Sequence, residues 1–191
     1  MNNIAIFASG NGSNAEKIIK YFLQKPDARI AVVLSNNQAA KVLERAKKFE
    51  IDTITFSKTT FYQTTEVLSI LKHYKIDLIV LAGFLWLIPD YLLKQFPNRI
   101  INIHPALLPK YGGKGMYGMK VHESVIKNGD AESGITVHFV NAVYDDGEII
   151  FQAYCPVEVS DNPESLAQKI HDLEHKYFPR VIEKVIKTIS K

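Results

Sequence analysis

An asparagine and a histidine stand two residues apart at the end of an apolar run in the middle of the chain. The run Arg99–Ile103 is typical of a strand, so Asn102 and His104 share one face. Pro105 cannot donate to a sheet ladder and ends the strand, which leaves His104 at the carboxyl end, where open α/β sheets bind ligands. The amide can hold an oxyanion while the imidazole moves a proton near neutral pH. The alternative is a strand end at which both side chains cap backbone groups.

A third candidate for this chemistry is Asp145, which lies in the turn-prone segment Tyr144–Gly147 after a later apolar strand. An aspartate in a turn is ordinarily a turn former. Beside a histidine it stabilises the imidazolium, raises the pKa of the histidine and fixes the orientation of the ring. If the fold brings Asp145 to His104, the two side chains work as a pair.

A turn of small residues, Ser9–Ala15, joins the first apolar run to the first amphipathic segment. Free backbone N–H groups and the positive end of a helix dipole favour an anion there, so the turn predicts a phosphate site. Gly10–Ala15 also matches the G-x-G-x-x-[GA] dinucleotide fingerprint. The acidic residue that would bind a ribose is missing, because Leu34 is followed by Ser35–Asn37. We favour one phosphate, and a tight turn without a ligand remains the alternative.

The last amphipathic segment carries the pattern H-x-x-E-H between His171 and His175. A match of five residues arises easily by chance, and a closed zinc site needs further ligands, so we expect no metal and interpret both histidines as a solvated helix face. We interpret Glu174, unlike the two histidines, as a candidate binding residue, because a carboxylate on a long closing helix can bind a substrate amine.

Length and composition indicate one globular domain over residues 1–191, with apolar residues making up 47% of the chain. The formal charge of +3 is spread along the chain and argues against a nucleic-acid partner. The single cysteine, Cys155, forms no internal disulfide, and no apolar run is as long as a membrane span. We therefore expect a cytoplasmic protein without a membrane partner.

Short apolar runs alternate with amphipathic segments, which predicts an α/β fold with a doubly wound, mostly parallel sheet. The predicted strands are Ile4–Phe7, Ile30–Leu34, Thr53–Phe56, Leu78–Leu81 and Ile100–Ile103, and the predicted helices are Asn14–Leu23, Ala40–Phe49, Phe61–Tyr74 and Pro89–Phe96. A C-terminal hairpin of Ile135–Val140 and Glu148–Ala153 and a long closing helix, Pro163–Ile189, are expected to follow. The glycine-rich segment 112–119 is interpreted as a flexible lid beside the site.

Four segments together resemble the phosphoribosylglycinamide formyltransferase family over essentially the entire chain: Gly10–Asn14, Leu81–Phe84, Asn102–Pro109, and Val137–Val140 with its spacing to Asp145. The Asn-x-His-Pro-x-Leu-Leu-Pro run is shared by the wider family that uses formyltetrahydrofolate. The first turn and the pair Glu174-His175 point to the member that acts on glycinamide ribonucleotide. The resemblance implies a Rossmann-like formyltransferase fold. It also implies transfer of a formyl group from 10-formyltetrahydrofolate to the amine of glycinamide ribonucleotide in de novo purine biosynthesis, without a metal.

The resemblance also implies roles for individual residues. The catalytic residues would be Asn102, His104 and Asp145. Contacts to glycinamide ribonucleotide would come from Gly12, Ser13, Asn14, Pro105 and Glu174, and contacts to the folate from Leu85, Trp86, Leu87, Ile88, Val140, Asn141 and Tyr144. Trp86 departs from the family pattern, in which a basic residue is common at this position.

Three other functions are compatible with parts of this pattern. Methionyl-tRNA formyltransferase and formyltetrahydrofolate deformylase share the Asn-x-His-Pro core, but the first normally adds a C-terminal RNA-binding domain and the second an N-terminal regulatory domain. A noncatalytic module that binds a nucleotide or a folate is the third. From the resemblance we expect the protein to bind glycinamide ribonucleotide and 10-formyltetrahydrofolate. We expect it to be a monomer or a homodimer.

Overall fold

The computed structural model describes residues 1–189, and in that range seven strands form one sheet. The strands are β1 (Asn2–Phe7), β2 (Ala28–Ser35), β3 (Asp52–Thr55), β4 (Ile76–Leu81), β5 (Ile100–His104), β6 (Glu132–Phe139) and β7 (Ile149–Pro156). The helices are α1 (Ser13–Phe22), α2 (Lys41–Lys47), α3 (Lys58–Gln63), α4 (Glu66–His73), α5 (Asp90–Gln95), α6 (Met119–Asn128) and α7 (Pro163–Ile189).

The sheet has the strand order β3-β2-β1-β4-β5-β6-β7. β1 to β5 pair in parallel, whereas β6 pairs antiparallel with both β5 and β7. The order of the parallel strands reverses between β1 and β4, and the carboxyl ends of strands at such a switch point form a ligand crevice. The predicted doubly wound sheet with an added hairpin is confirmed.

Apolar side chains alternate between the two faces of β1, and each face is covered by different helices. Ile4 and Ile6 belong to a buried cluster with residues of α1 and α7, whereas Ala5 and Phe7 belong to a second cluster with residues of α3 and α4. Burial of both faces is typical of parallel strands, whose sequences are near-continuous apolar runs. The sheet is therefore a rigid platform for the loops at its edge.

The closing helix α7 has 27 residues, and its apolar side chains, including Leu166, Ile170, Phe178 and Ile182, are buried. The prediction of this long helix is confirmed. None of the helices in the described part of the chain is both long and apolar enough to cross a membrane.

One helix prediction is wrong in detail, and one helix was not predicted. The single helix predicted over Phe61–Tyr74 is two helices, because the hydroxyl of Thr64 donates to the Thr60 carbonyl at 2.8 Å and accepts from the Glu66 N–H at 3.2 Å. Such local hydrogen bonds compete with the helical ladder. The helix α6 was not predicted, because a glycine-rich segment precedes it and a glycine, Gly118, is its N-cap.

Candidate active site

A cavity of about 800 Å³ opens where β1, β4 and β5 end. All but one of the predicted site residues line it: Gly12, Ser13, Asn14, Leu85, Trp86, Leu87, Ile88, Asn102, His104, Pro105, Val140, Tyr144, Asp145 and Glu174. Asn141 is the exception, and its side chain instead accepts a hydrogen bond from the Val143 N–H at 2.9 Å within its own loop. The fold thus brings together segments that are far apart in the sequence.

Asn102 and His104 lie on one face of β5, which ends at His104 before Pro105, as predicted. In the antiparallel ladder Asn102 pairs with His138 and His104 pairs with Thr136 of β6. Residues directly opposite each other in such a ladder have neighbouring side chains. The register therefore adds a second histidine to the pair that the sequence indicates.

The ring of His104 lies between the Tyr111 carbonyl and the Asp145 carboxylate and is only 3% exposed. Its Nε2 lies 2.7 Å from the carbonyl oxygen of Tyr111, and because a carbonyl only accepts, Nε2 carries a hydrogen. Its Nδ1 lies 3.4 Å from Oδ2 of Asp145. In neutral His104, Nδ1 therefore carries no hydrogen and faces the Asp145 carboxylate.

Burial lowers the pKa of His104 below its ordinary value, although Asp145 and the Tyr111 carbonyl act in the opposite direction. As expected, Asp145 by itself raises the pKa of His104. The net shift of that pKa is nevertheless downward, so the expectation of a raised pKa is wrong. Loss of hydration penalises the imidazolium more than these two partners favour it. His104 in the free protein is therefore suited to accept a proton.

Asp145 faces three groups of the site and has a left-handed backbone, with φ of 54°. Its Oδ1 lies 3.4 Å from Nδ2 of Asn102, and its Oδ2 accepts a hydrogen bond from the Gly113 N–H at 3.0 Å. Burial alone would raise the pKa of Asp145, but contacts with His138, His104 and Gly113 bring it below the usual range. Asp145 is thus an anion beside the candidate proton acceptor.

His138 is a site residue that the sequence analysis did not assign. Its Nδ1 lies 2.8 Å from the Phe139 carbonyl, and its Nε2 lies 3.1 Å from Nδ2 of Asn102 and 3.6 Å from Oδ1 of Asp145. It belongs to the segment Val137–Val140 that carried the resemblance. The alternation of β6 places it on a polar face with Thr136, but only the pairing register brings it to Asn102.

The turn after β1 opens α1 in the manner expected of an anion site. Gly12 is the N-cap with φ of 76°, and in the described residues no side chain caps the first helical turn. The first N–H groups of a helix have no intrahelical partner, so those of Ser13 and Asn14 remain available to a ligand. A Cβ on Gly12 would lie 2.5 Å from Cβ of Val42, so this position requires glycine.

Glu174 of α7 lines the cavity and is 5% exposed. Its Oε2 accepts a hydrogen bond from Nδ2 of Asn14 at 2.8 Å and lies 3.0 Å from Nδ1 of His171. Contact with Glu174 raises the pKa of His171, which is exposed as expected but also lines the cavity. Since one oxygen of Glu174 makes both contacts, the other is available to a ligand.

His122 on the unpredicted helix α6 also lines the cavity. It is 4% exposed, and within residues 1–189 its Nδ1 has no hydrogen-bond partner. Burial lowers the pKa of His122, and the charge of His171 adds to that effect. In the same described range, no group of three or more His, Cys, Asp or Glu side chains is placed to hold a metal ion.

The segment after β4 lines the cavity and includes Trp86, which belongs to an aromatic cluster. Trp86 packs against Phe61 with ring centres 5.8 Å apart and against Tyr62 at 6.0 Å. The hydroxyl of Tyr62 donates to the Leu87 carbonyl at 2.9 Å. Among the described residues that line the cavity, Lys114 is the one Lys or Arg. This lining thus suits an apolar, planar ligand.

Comparison with known proteins agrees with this geometry. The family described as formyl transferase matches residues 2–182. The chain is 39% identical over 185 residues to the chloroplastic phosphoribosylglycinamide formyltransferase of Arabidopsis thaliana, covering 94% of this chain and 63% of that protein. It is 38% identical over 193 residues to the phosphoribosylglycinamide formyltransferase of Bacillus subtilis (strain 168), covering 97% of this chain and 95% of that protein.

Among solved structures, the crystal structure of glycinamide ribonucleotide transformylase 1 from Symbiobacterium toebii superposes with a TM-score of 0.86 at 34% identity. The superposition covers 95% of this chain and 86% of that one. The resemblance found in the sequence is confirmed by both kinds of comparison. The match spans both the turn before α1 and the cluster of Asn102, His104 and Asp145, and the chain belongs to the formyl transferase family.

Proposed function

We propose that this protein transfers the formyl group of 10-formyltetrahydrofolate to the amine of glycinamide ribonucleotide, as a step of purine biosynthesis. The observation that carries the proposal is the convergence of Asn102, His104 and Asp145 in one cavity that also reaches the N-terminus of α1. The names of the relatives support the same reaction.

The acceptor binds along the wall that α1 and α7 form. Its phosphate accepts hydrogen bonds from the N–H groups of Ser13 and Asn14, with Gly12 allowing close approach of the backbone. The free oxygen of Glu174 binds the glycinamide end. Pro105, which follows the strand β5, borders the path between the two. This placement directs the amine toward His104.

The donor binds along the opposite wall. Its fused rings and its aminobenzoyl group lie against Leu85–Ile88, and the loop that contains Val140 and Tyr144 covers them. Aromatic side chains bury planar ligands favourably. The polar tip of the pocket is the cluster around Asn102, where the formyl carbon is placed.

The amine attacks the formyl carbon, which forms a C–N bond and a tetrahedral centre whose oxygen carries the negative charge. The amide of Asn102 donates a hydrogen bond to that oxygen. Nδ1 of His104 accepts the proton that the amine loses, and Asp145 stabilises the resulting imidazolium, which also faces the oxyanion. The same proton then passes to the folate nitrogen as its C–N bond breaks, so the products are tetrahydrofolate and glycinamide ribonucleotide formylated on its amine. No metal is needed in this sequence of steps.

The proposal is tested by following release of tetrahydrofolate with three acceptors: glycinamide ribonucleotide, methionyl-tRNA and water. We expect transfer to the first alone, and a fall of kcat by about 10²-fold in Asn102→Ala and in His104→Ala, the scale of losing one preorganised group. His73→Ala is the matched control, since this exposed histidine at the end of α4 lies outside the cavity. Transfer to tRNA or water, or tight binding of both ligands without turnover, would contradict the assignment.

A further inference from the structure

Tyr111 connects the catalytic cluster to a part of the fold outside the cavity. Its backbone carbonyl accepts the hydrogen bond from Nε2 of His104 at 2.7 Å. Its hydroxyl donates to Oδ2 of Asp130 at 3.0 Å and accepts from Nδ2 of Asn128 at 2.9 Å. One residue therefore holds His104 through its main chain and is itself held through its side chain.

The backbone of Tyr111 has the left-handed conformation, with φ of 56°. This conformation costs a bulky L-residue about 1–2 kcal/mol and persists only where the surroundings fix it. The Tyr111 ring packs against the core cluster that contains Val125 and Ile135, and the hydroxyl bonds fix its far end. The side chain thus supplies the constraint that the carbonyl needs to stay on His104.

The same short segment also reaches the other member of the pair. The Gly113 N–H, two residues after Tyr111, donates to Oδ2 of Asp145 at 3.0 Å. That oxygen is the one that lies 3.4 Å from Nδ1 of His104. A shift of the segment would therefore loosen the histidine at one end and the carboxylate at the other.

We propose that Tyr111 is a positioning residue, whose hydroxyl anchor on Asp130 and Asn128 keeps its carbonyl on Nε2 of His104 and thereby keeps Nδ1 turned toward Asp145 and the cavity. The kinetic consequence rests on the proposed function. The structural consequence does not, because the environment of His104 can be measured without a substrate.

The titration of His104 reports on the anchor. The titratable groups that face His104 are Asp145 from the loop after β6, His138 from β6, His122 from α6 and Glu174 from α7. Burial lowers the pKa of His104 most strongly, while the Tyr111 carbonyl raises it. A Tyr111 carbonyl that is no longer held in place should therefore leave His104 with a still lower pKa.

The experiment compares Tyr111→Phe and Asp130→Ala with Lys110→Met. The first two remove the hydroxyl contact, whereas the third removes only the exposed pair of Lys110 with Asp130, whose atoms are 3.3 Å apart. We expect kcat to fall about tenfold in the first two, with both KM values within about twofold, and the double variant Tyr111→Phe/Asp130→Ala to lose no more than one of them. NMR of His104 should show a lower pKa in these variants and no change in Lys110→Met.

Wild-type kcat and wild-type His104 titration in both Tyr111→Phe and Asp130→Ala would overturn the proposal, as would equal effects in all three variants. If Tyr111→Phe does not fold, Asp130→Ala alone tests the role of the hydroxyl anchor, because this variant retains the tyrosine side chain. If the wild-type protein transfers no formyl group to glycinamide ribonucleotide, the proposed function fails, and the His104 titration alone then decides the role of Tyr111.

Discussion

Nε2 of His138 lies 3.1 Å from Nδ2 of Asn102, while Nδ1 of the same ring lies 2.8 Å from the Phe139 carbonyl. The carbonyl can only accept, so Nδ1 carries a hydrogen, and whenever Nε2 carries none it accepts one N–H of Asn102. The second N–H of Asn102 meets Oδ1 of Asp145 at 3.4 Å, which is a long contact. That N–H is therefore the one available to a developing oxyanion.

Replacing His138 by alanine should release the amide of Asn102 and lower kcat by about 10- to 100-fold, with a smaller change in the KM of the acceptor. The measurement is steady-state formyl transfer. His73→Ala, which removes an exposed histidine elsewhere, is the control. Combined with Asn102→Ala, the second substitution should add little, because both act on the same amide; fully additive losses would show that His138 acts independently.

Substitution by alanine at two glycines of the turn before α1, Gly10 and Gly12, should affect stability differently. At Gly12 a methyl group meets both Cβ and Cα of Val42, at 2.5 and 2.7 Å, on a backbone with positive φ, whereas at Gly10 nothing lies within 4 Å of it. Gly12→Ala should lower the free energy of unfolding by about 2–4 kcal/mol, from strain and overpacking together. Gly10→Ala should unfold like the wild type in denaturant titrations. Equal stability of the two variants would contradict the close approach to Val42.

Local patterns were sufficient to predict much of this site. The period of two placed Asn102 and His104 on one face, Pro105 marked the end of the strand, and the small residues around Gly12 marked the turn that opens α1. Each of these signals depends on neighbouring residues, because side-chain alternation, missing donors and backbone freedom are local properties.

Features that depend on distant contacts were not predicted. His138 joins the site through the register of β5 with β6, which no short segment specifies. The helix α6, which carries His122, follows the glycine-rich segment and was missed for that reason. The pKa of His104 is lowered by burial, which depends on the folded environment as a whole, so sequence analysis could predict only the raising effect of Asp145.

Donor binding should depend on the ring of Trp86. Trp86→Ala removes the indole ring, which lines the cavity and is held by packing against Phe61 and Tyr62. The loss of this apolar surface should raise the KM of the donor about tenfold while the KM of the acceptor stays unchanged. Tyr62→Phe is the matched variant, because it keeps the ring and removes only the hydrogen bond to the Leu87 carbonyl. A rise in the acceptor KM instead would place the acceptor, and not the folate, on this wall.

Removal of the charge of Asp145 should change both the rate and its pH dependence. The carboxylate raises the pKa of His104 against the effect of burial, so Asp145→Asn lowers that pKa further. His104 accepts a proton only when neutral, so the acidic limb of kcat/KM should move to lower pH while the plateau falls about 10²-fold. Asp146→Asn, at the exposed neighbouring position, is the control.

The same carboxylate links stability to pH. Because the folded-state pKa of Asp145 lies below its ordinary value, the ionised group stabilises the fold above its unfolded pKa, and this contribution is lost as the pH falls through the folded pKa. The free energy of unfolding should therefore decline more steeply in acid for the wild type than for Asp145→Asn, with Asp146→Asn following the wild type. Denaturant titrations from pH 7 to pH 3 measure this difference. Parallel curves for the wild type and Asp145→Asn would show that the carboxylate has no favourable contacts in the folded protein.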